Sequence, residues 1–415
     1  MRERDGALVA IPYSEAYRLA AAAVSAALRD AAAALAVPAE QALRDYVQAA
    51  ATAFVTDDWY AADEAWAKMS SDNSRGYLRV APDETYFDPC ATKAAFGLTL
   101  ARTDATSKAW QRRLQPLRDD MEAAVAARAG APYRARQVAF RLPDFVDVVL
   151  HAGYERAPLG ATIGDSLPNT GPVAEQGRRR TTVMINLLKD PDSVATLRAV
   201  VATLFDSDAL TAYAPESEAG LVDPMLHEIA HNLGPNRDYR VAGRSAKDVF
   251  GGDVAEMLDE LEAQTGALFL VELARAHGVV SDQLASQIYA DGIEWAIGHV
   301  ARGMYAGDGA RKPYGQAGAI QLGILIEEGA LSWDPRARAA DASASGAFAI
   351  RRDKLVPAID HMMTRIAGIL ARADKPAADA LLARYVDDSA VVPHEIITER
   401  LANLPDASLV YAIVP

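Results

Sequence analysis

Apolar residues recur at helical spacing along most of this chain. The alanine-rich stretches 17–35 and 39–54 each carry an apolar face and are separated by Pro38, so the part from Tyr13 to about Leu100 is expected to pack as helices, interrupted at Asp57-Asp58. A further helix is predicted from Ser107 to about Ala129, where Leu114, Leu117, Met121 and Val125 keep the period and Gly130 stops it. Pro116 kinks that helix or marks its true start. After Pro132 the pattern changes. Val138, Phe140, Phe145, Val146, Val148, Val149 and Leu150 read as short strands, and Thr181 to Asn186 reads as another. Helical spacing resumes at Ser193, with breaks near 234–252, 305–318 and 333–348. The expected fold is α+β and mostly α-helical, with a helical part at 1–130, a β-containing part at 131–190 and a second helical part at 191–415.

Composition narrows the class without naming a function. With 51% apolar and 24% charged residues the chain is that of an ordinary globular protein. Its 42 basic against 56 acidic residues leave a net charge of -14, which opposes binding to nucleic acid or an anionic membrane. The short run Arg178-Arg179-Arg180 reads as a solvated loop. Cys90 is the only cysteine, so an intramolecular disulfide and a thiolate metal cluster are both excluded, and a small buried apolar role is expected for it. No apolar run reaches the roughly 18 residues of a spanning helix, and the first ten residues lack the apolar core of a secretion signal. A soluble, cytoplasmic protein is expected, or a periplasmic one if a leader has been removed.

The chemistry is concentrated in His227-Glu228-Ile229-Ala230-His231. On a helix, positions i and i+4 share a face, so both imidazoles can reach one zinc ion while Glu228 stands beside the water that the ion would activate. Asn232-Leu233-Gly234-Pro235 ends that helix just past His231. A catalytic zinc needs a third protein ligand. The next helix is predicted to open at Asp253, with Glu256 as its capping-box partner, and to close at His277-Gly278. It carries Glu256, Glu260 and Glu262. Glu256 has a cap to serve, and Glu262 is rotated about 200° from Glu260 at the usual helical step, so Glu260 is the expected third ligand. Ala263, Gln264 and Ala267 on its face are small or polar and let a second helix come close.

These residues resemble the dipeptidyl peptidase III zinc peptidases, particularly their shorter bacterial members. The likeness includes Ile11 to Tyr17, Thr56-Asp57-Asp58 with Asp63 to Trp66, and Glu84 to Asp88 followed by Lys93 to Phe96. It continues through Leu167-Pro168-Asn169, Glu175-Gln176-Gly177, Ala319 to Leu322 and Glu328-Gly329-Ala330, in the family's order. The resemblance implies a two-lobed metallopeptidase, with a helical zinc-bearing lobe and a smaller β-containing lobe across a cleft. It also places the family's third-ligand motif on Asp259-Glu260-Leu261-Glu262-Ala263-Gln264, selecting Glu260 again. Asp259 and Gln264 then stand behind the ligands, and Asn169 holds the substrate backbone.

Three departures accompany the likeness. The zinc motif is the compact form, one residue shorter than in the long eukaryotic members. Gln264 stands where the family has an acidic residue bracing a zinc histidine, and Tyr314 where it has a histidine that steadies the oxyanion. A phenol can donate to an oxyanion, so Tyr314 is the candidate for that role. His299 is read as an ordinary helical histidine, with movement into the site as its alternative. The expected function is hydrolysis of short peptides with one Zn2+ per chain, Glu228 as general base, and release of dipeptides as the resemblance implies. Glu84 and Asp165 are acidic candidates for meeting a free amino terminus. The rivals are a zinc hydrolase of a small non-peptide amide or lactone, and a zinc-stabilised binding protein without turnover.

Overall fold

In a computed structural model, described for residues 2–4, 6–84, 94–138, 142–156, 164–215, 217–387, 390–402, 404 and 411, the apolar pattern is converted into two compact units. One comprises 1–108, 143–187 and 408–415; the other comprises 109–142 and 188–407. Cys90, Phe140, Thr85 to Asp88 and Lys93 lie outside the described residues, as does the side chain of Glu84.

In the first unit the alanine-rich stretches form the helices Arg18–Ala34 and Gln41–Thr56, which pack on each other and leave Asp57 in a left-handed conformation at the exit. The helix Tyr60–Lys68 follows. Beyond it the expectation of helices up to Leu100 fails. After a short hairpin of β1 (Arg2–Arg4) and β2 (Ala7–Val9), the chain contributes β3 (Gly76–Glu84) and β4 (Ala94–Thr103) to a sheet. There Phe96, Leu98 and Leu100 alternate with a strand period, and β3 and β4 pair from Gly76↔Arg102 to Glu84↔Ala94. Alanine's helix preference is overruled by ladder pairing and burial of Tyr77 and Val80.

With β5 (Asp144–Gly153), β6 (Gly164–Leu167) and β7 (Arg180–Met184), the sheet order is β3-β4-β5-β7-β6. All its pairs are antiparallel except β5 with β7. Tyr46, Trp66, Tyr77, Val146 and Met184 form the core between sheet and helices. Trp66 donates from Nε1 to the Leu167 carbonyl at 3.0 Å, which ties the Leu167-Pro168-Asn169 segment to the helix Tyr60–Lys68. Arg180 is not part of a solvated loop: it is buried, pairs with Asp144 at 2.7 Å and lies over the rings of Trp66 and Tyr77. A carboxylate on Nε and two ring faces offset part of the hydration that this guanidinium loses, while Nη1 and Nη2 are buried without a hydrogen bond.

The second unit is helical apart from the hairpin β8 (Leu331–Arg338) with β9 (Ser345–Ile350), which fills part of the break expected at 333–348. Pro116 does divide the expected 107–129 helix: Ala105–Leu114 and Arg118–Ala129 are separated by a single 3-10 turn. The long helix Gly252–Ala276 is buried along most of its length by Ala219–Ala230, Asp282–Ala301, Pro313–Glu327 and Arg352–Arg372. The break expected at 305–318 ends at Pro313, whose fixed φ suits the first helical turn.

Asp253 does not cap the long helix. Gly251, at φ 91°, occupies the N-cap, and the capping box belongs to Ser245 and Asp248 of the short helix Ala246–Phe250 before it. Gly266 decides how closely the two site-bearing helices meet, because a Cβ there would lie 2.7 Å from the Cβ of Ala230. Among the described residues no helix is long and apolar enough to cross a membrane.

Candidate metal centre

The helix Ala219–Ala230 carries His227 in its last turn and hands on to His231 at its C-cap, so the i, i+4 spacing stacks the two imidazoles edge to face at 4.8 Å. The close contact at Gly266 brings Gly252–Ala276 alongside, and with it Glu260. Glu260 Oε2 lies 3.3 Å from His227 Nε2 and 3.6 Å from His231 Nε2. One ligand atom from each of the three lies within 4.8 Å of the others. Glu260 is 8% exposed, and its Oε2 is buried without a hydrogen bond. Burial alone would raise its pKa, but the two imidazoles hold it well below the usual carboxylate range. Two imidazole nitrogens and a carboxylate oxygen converging on one buried point are the donor set of a catalytic zinc site, so the residues fit such an ion.

The remaining ring nitrogens face polar groups behind them, His227 Nδ1 in a hydrogen bond and His231 Nδ1 at ion-pair distance only. His227 Nδ1 meets Gln264 Oε1 at 2.9 Å, and Gln264 Nε2 donates to Asp223 at 3.1 and 3.4 Å. His231 Nδ1 faces Asp259 at 3.4 Å, and Asp259 in turn meets Arg237 at 3.3 Å. Burial opposes a charge on His231, yet the carboxylates of Asp259 and Glu260 outweigh it and push the imidazole up to about 10. Asp223 is buried and Asp291 and Glu294 near it are half-buried, and desolvation pushes each up to about 7.

A wall of rings borders the centre. Trp295 stands 6.1 Å from His227 and 4.6 Å from His299, and His299 stacks on Tyr314 at 5.0 Å. Burial, reinforced by Arg302, lowers His299 to about 4, so it is neutral near pH 7. Tyr314 is 41% exposed overall, but its phenol end is desolvated and faces the carboxylates of Glu260, Glu228 and Glu256. Together these hold it well above the ordinary tyrosine value, so it stays protonated and can donate. Glu228 is half-buried on the same helix as the histidines.

The structure therefore gathers His227, Glu228, His231, Asp259, Glu260, Gln264 and Tyr314 around one point. Glu256, set aside as a cap residue, serves no cap and stands near Glu260. Glu262 is not among the three converging ligands, and it is buried at 3% exposure where an acidic surface residue would be solvated. Burial pushes its carboxyl well above the usual range. Asn169 lies in the first unit, in the segment after β6.

Sequence reasoning passed over Asp223, Trp295 and Arg237. Asp223 did carry a signal, since it stands one helical turn before His227 on the same face. Trp295 and Arg237 carried none, because only packing brings them close.

No protein-family model matches the chain. Among curated proteins it is 22% identical over 393 residues to Nudix hydrolase 3 of Arabidopsis thaliana, covering 91% of this chain and 46% of that protein. The chain thus spans about half the length of that relative. Among solved structures it superposes on dipeptidyl peptidase III from Caldithrix abyssi with a TM-score of 0.80 at 24% identity, covering 97% of this chain and 72% of that one. It also superposes on dipeptidyl-peptidase III from Corallococcus sp. strain EGB with a TM-score of 0.64 at 20% identity, covering 97% and 70%. The chain has the dipeptidyl peptidase III fold, as the resemblance of its motifs implied.

Proposed function

We propose that this chain is a zinc-dependent peptidase acting on short peptides, with release of dipeptides as the fold likeness suggests. The observation that carries the reading is the buried Glu260 Oε2, unbonded, at 3.3 and 3.6 Å from the Nε2 atoms of His227 and His231. These three side chains are proposed to hold one Zn2+, which when bound would supply Lewis acidity and acidify water.

The chain's own residues then divide the proton work. Glu228 takes a proton from the attacking water and returns it to the leaving amine. Tyr314, kept protonated by desolvation and by the surrounding carboxylates, donates to the oxygen that gains charge as the carbonyl is attacked. Asp259 and Gln264 orient the two imidazoles, which a ligand set needs in order to present its lone pairs. Asn169 is assigned to the peptide backbone on the motif likeness alone.

The test is hydrolysis of dipeptidyl-naphthylamides before and after chelator treatment, with zinc content measured on the same samples. Cleavage lost with chelator and restored by Zn2+ is the expected result. Zinc bound at one per chain without cleavage of any peptide would replace this reading with hydrolysis of a small non-peptide amide or with binding alone.

A further inference from the structure

The acidic residue expected to brace a zinc histidine is absent, since Gln264 occupies its position. A neutral amide can accept from an imidazole N–H, but it can equally present its NH2 group, and the two faces have nearly the same shape. Something must choose between them. Asp223 lies on the far side of the amide, with Oδ2 at 3.1 Å and Oδ1 at 3.4 Å from Gln264 Nε2. Turning the amide over would set its oxygen against both carboxylate oxygens, two acceptors facing each other without a proton between them.

Burial makes that choice strict. Asp223 is 2% and Gln264 1% exposed, so bulk water does not replace a lost partner. The space for the amide depends on the neighbouring helix as well, because a Cβ on Gly292 would lie 3.0 Å from Gln264 Nε2 and 2.6 Å from Leu268 Cδ2. An ionised Asp223 offers only acceptors, so it takes the NH2 face of the amide. With Gln264 Oε1 directed at His227 Nδ1, 2.9 Å away, the proton of the imidazole is kept on Nδ1 and the lone pair on Nε2 points toward Glu260.

We propose that Asp223 is a positioning residue for the metal centre: through Gln264 it fixes the His227 tautomer that presents Nε2 to zinc, and it moves the bracing negative charge one side chain further from the ion. The inference rests on the zinc reading given above. It adds a residue that the motifs do not point to, and it explains how an amide can stand where a carboxylate was expected.

The experiment measures zinc affinity of the full chain by competition with a chromophoric chelator, alongside thermal unfolding of each protein. Asp223→Ala and Gln264→Ala should each weaken zinc binding by about 10- to 100-fold, as removal of a partner behind a metal-bound histidine does. The double variant should bind no more weakly than the weaker single one, because the two residues act as a unit. The paired change Asp223→Asn with Gln264→Glu, which puts the carboxylate beside His227, should recover affinity to within about 3-fold of the wild type.

An unchanged affinity in Asp223→Ala, or single effects that multiply in the double variant, overturns the proposal. Should Asp223→Ala fail to fold, failure of the paired swap to exceed Gln264→Ala in affinity overturns it instead. A wild-type chain that binds no zinc is a different result: it removes the metal reading and this inference together.

Discussion

The ring of Tyr314 stacks on that of His299, with centroids 5.0 Å apart and planes 24° from parallel. The two residues that sequence reasoning weighed as alternatives for steadying an oxyanion are thus one arrangement. His299 is half-buried and neutral, and it holds a phenol that faces the carboxylates of Glu260, Glu228 and Glu256.

Tyr314→Phe keeps the stacked ring and removes only the hydroxyl. Its kcat on a dipeptidyl-naphthylamide should fall by about 10²- to 10³-fold, the usual cost of one oxyanion donor, while zinc content stays at one per chain. An unchanged kcat would remove Tyr314 from the chemistry.

Glu228→Gln is expected to retain zinc, because Glu228 is not one of the three converging ligands. Loss of the general base should lower kcat by about 10²- to 10⁴-fold. Metal analysis and steady-state kinetics on one preparation check both halves, and near-normal turnover would reassign the base.

Gly266→Val tests the packing that assembles the centre. The added side chain would start 2.7 Å from the Cβ of Ala230, so the helices bearing Glu260 and the two histidines must separate. Overpacking of this kind costs about 1–3 kcal/mol, and zinc affinity should drop with it. Denaturant midpoints and chelator competition give the two readouts; unchanged values for both would mean the helices have slack.

His151 offers a test of pH dependence away from the metal. It is 6% exposed, its Nε2 is buried without a hydrogen bond, and burial lowers it from 6.5 to about 4. The sign follows from linkage: its folded value is depressed, so the unfolded chain binds the proton first. The contribution of the neutral ring is present above pH 6.5 and is lost as pH falls toward about 4. Relative to the wild type, His151→Phe should gain in unfolding midpoint across that window, read by thermal unfolding at several pH values. A difference that does not vary with pH would place the titration elsewhere.

Local spacing made the heart of the site legible. The i, i+4 histidines and the glutamate between them need only the helical repeat, and the repeat also turned Glu262 away from Glu260. Capping was less legible, because Asp253 and Glu256 have the composition of a capping box while the chain enters that helix through Gly251 instead. The strands at Gly76–Glu84 and Ala94–Thr103 were hidden by their alanines, since strand formation there depends on partners far along the chain.

The sequence by itself determined which side chains could share a helical face, because that depends on backbone geometry repeated every few residues. It also carried, through ordered motifs, the dipeptidyl peptidase III fold that the solved structures match. Only the tertiary structure decided that Gly266 lets two helices touch, that Glu260 reaches both imidazoles, and that Asp223 stands behind Gln264. Those relationships depend on interhelical distances of a few ångströms, set by the packing of the whole unit, and a single stretch of sequence does not encode them.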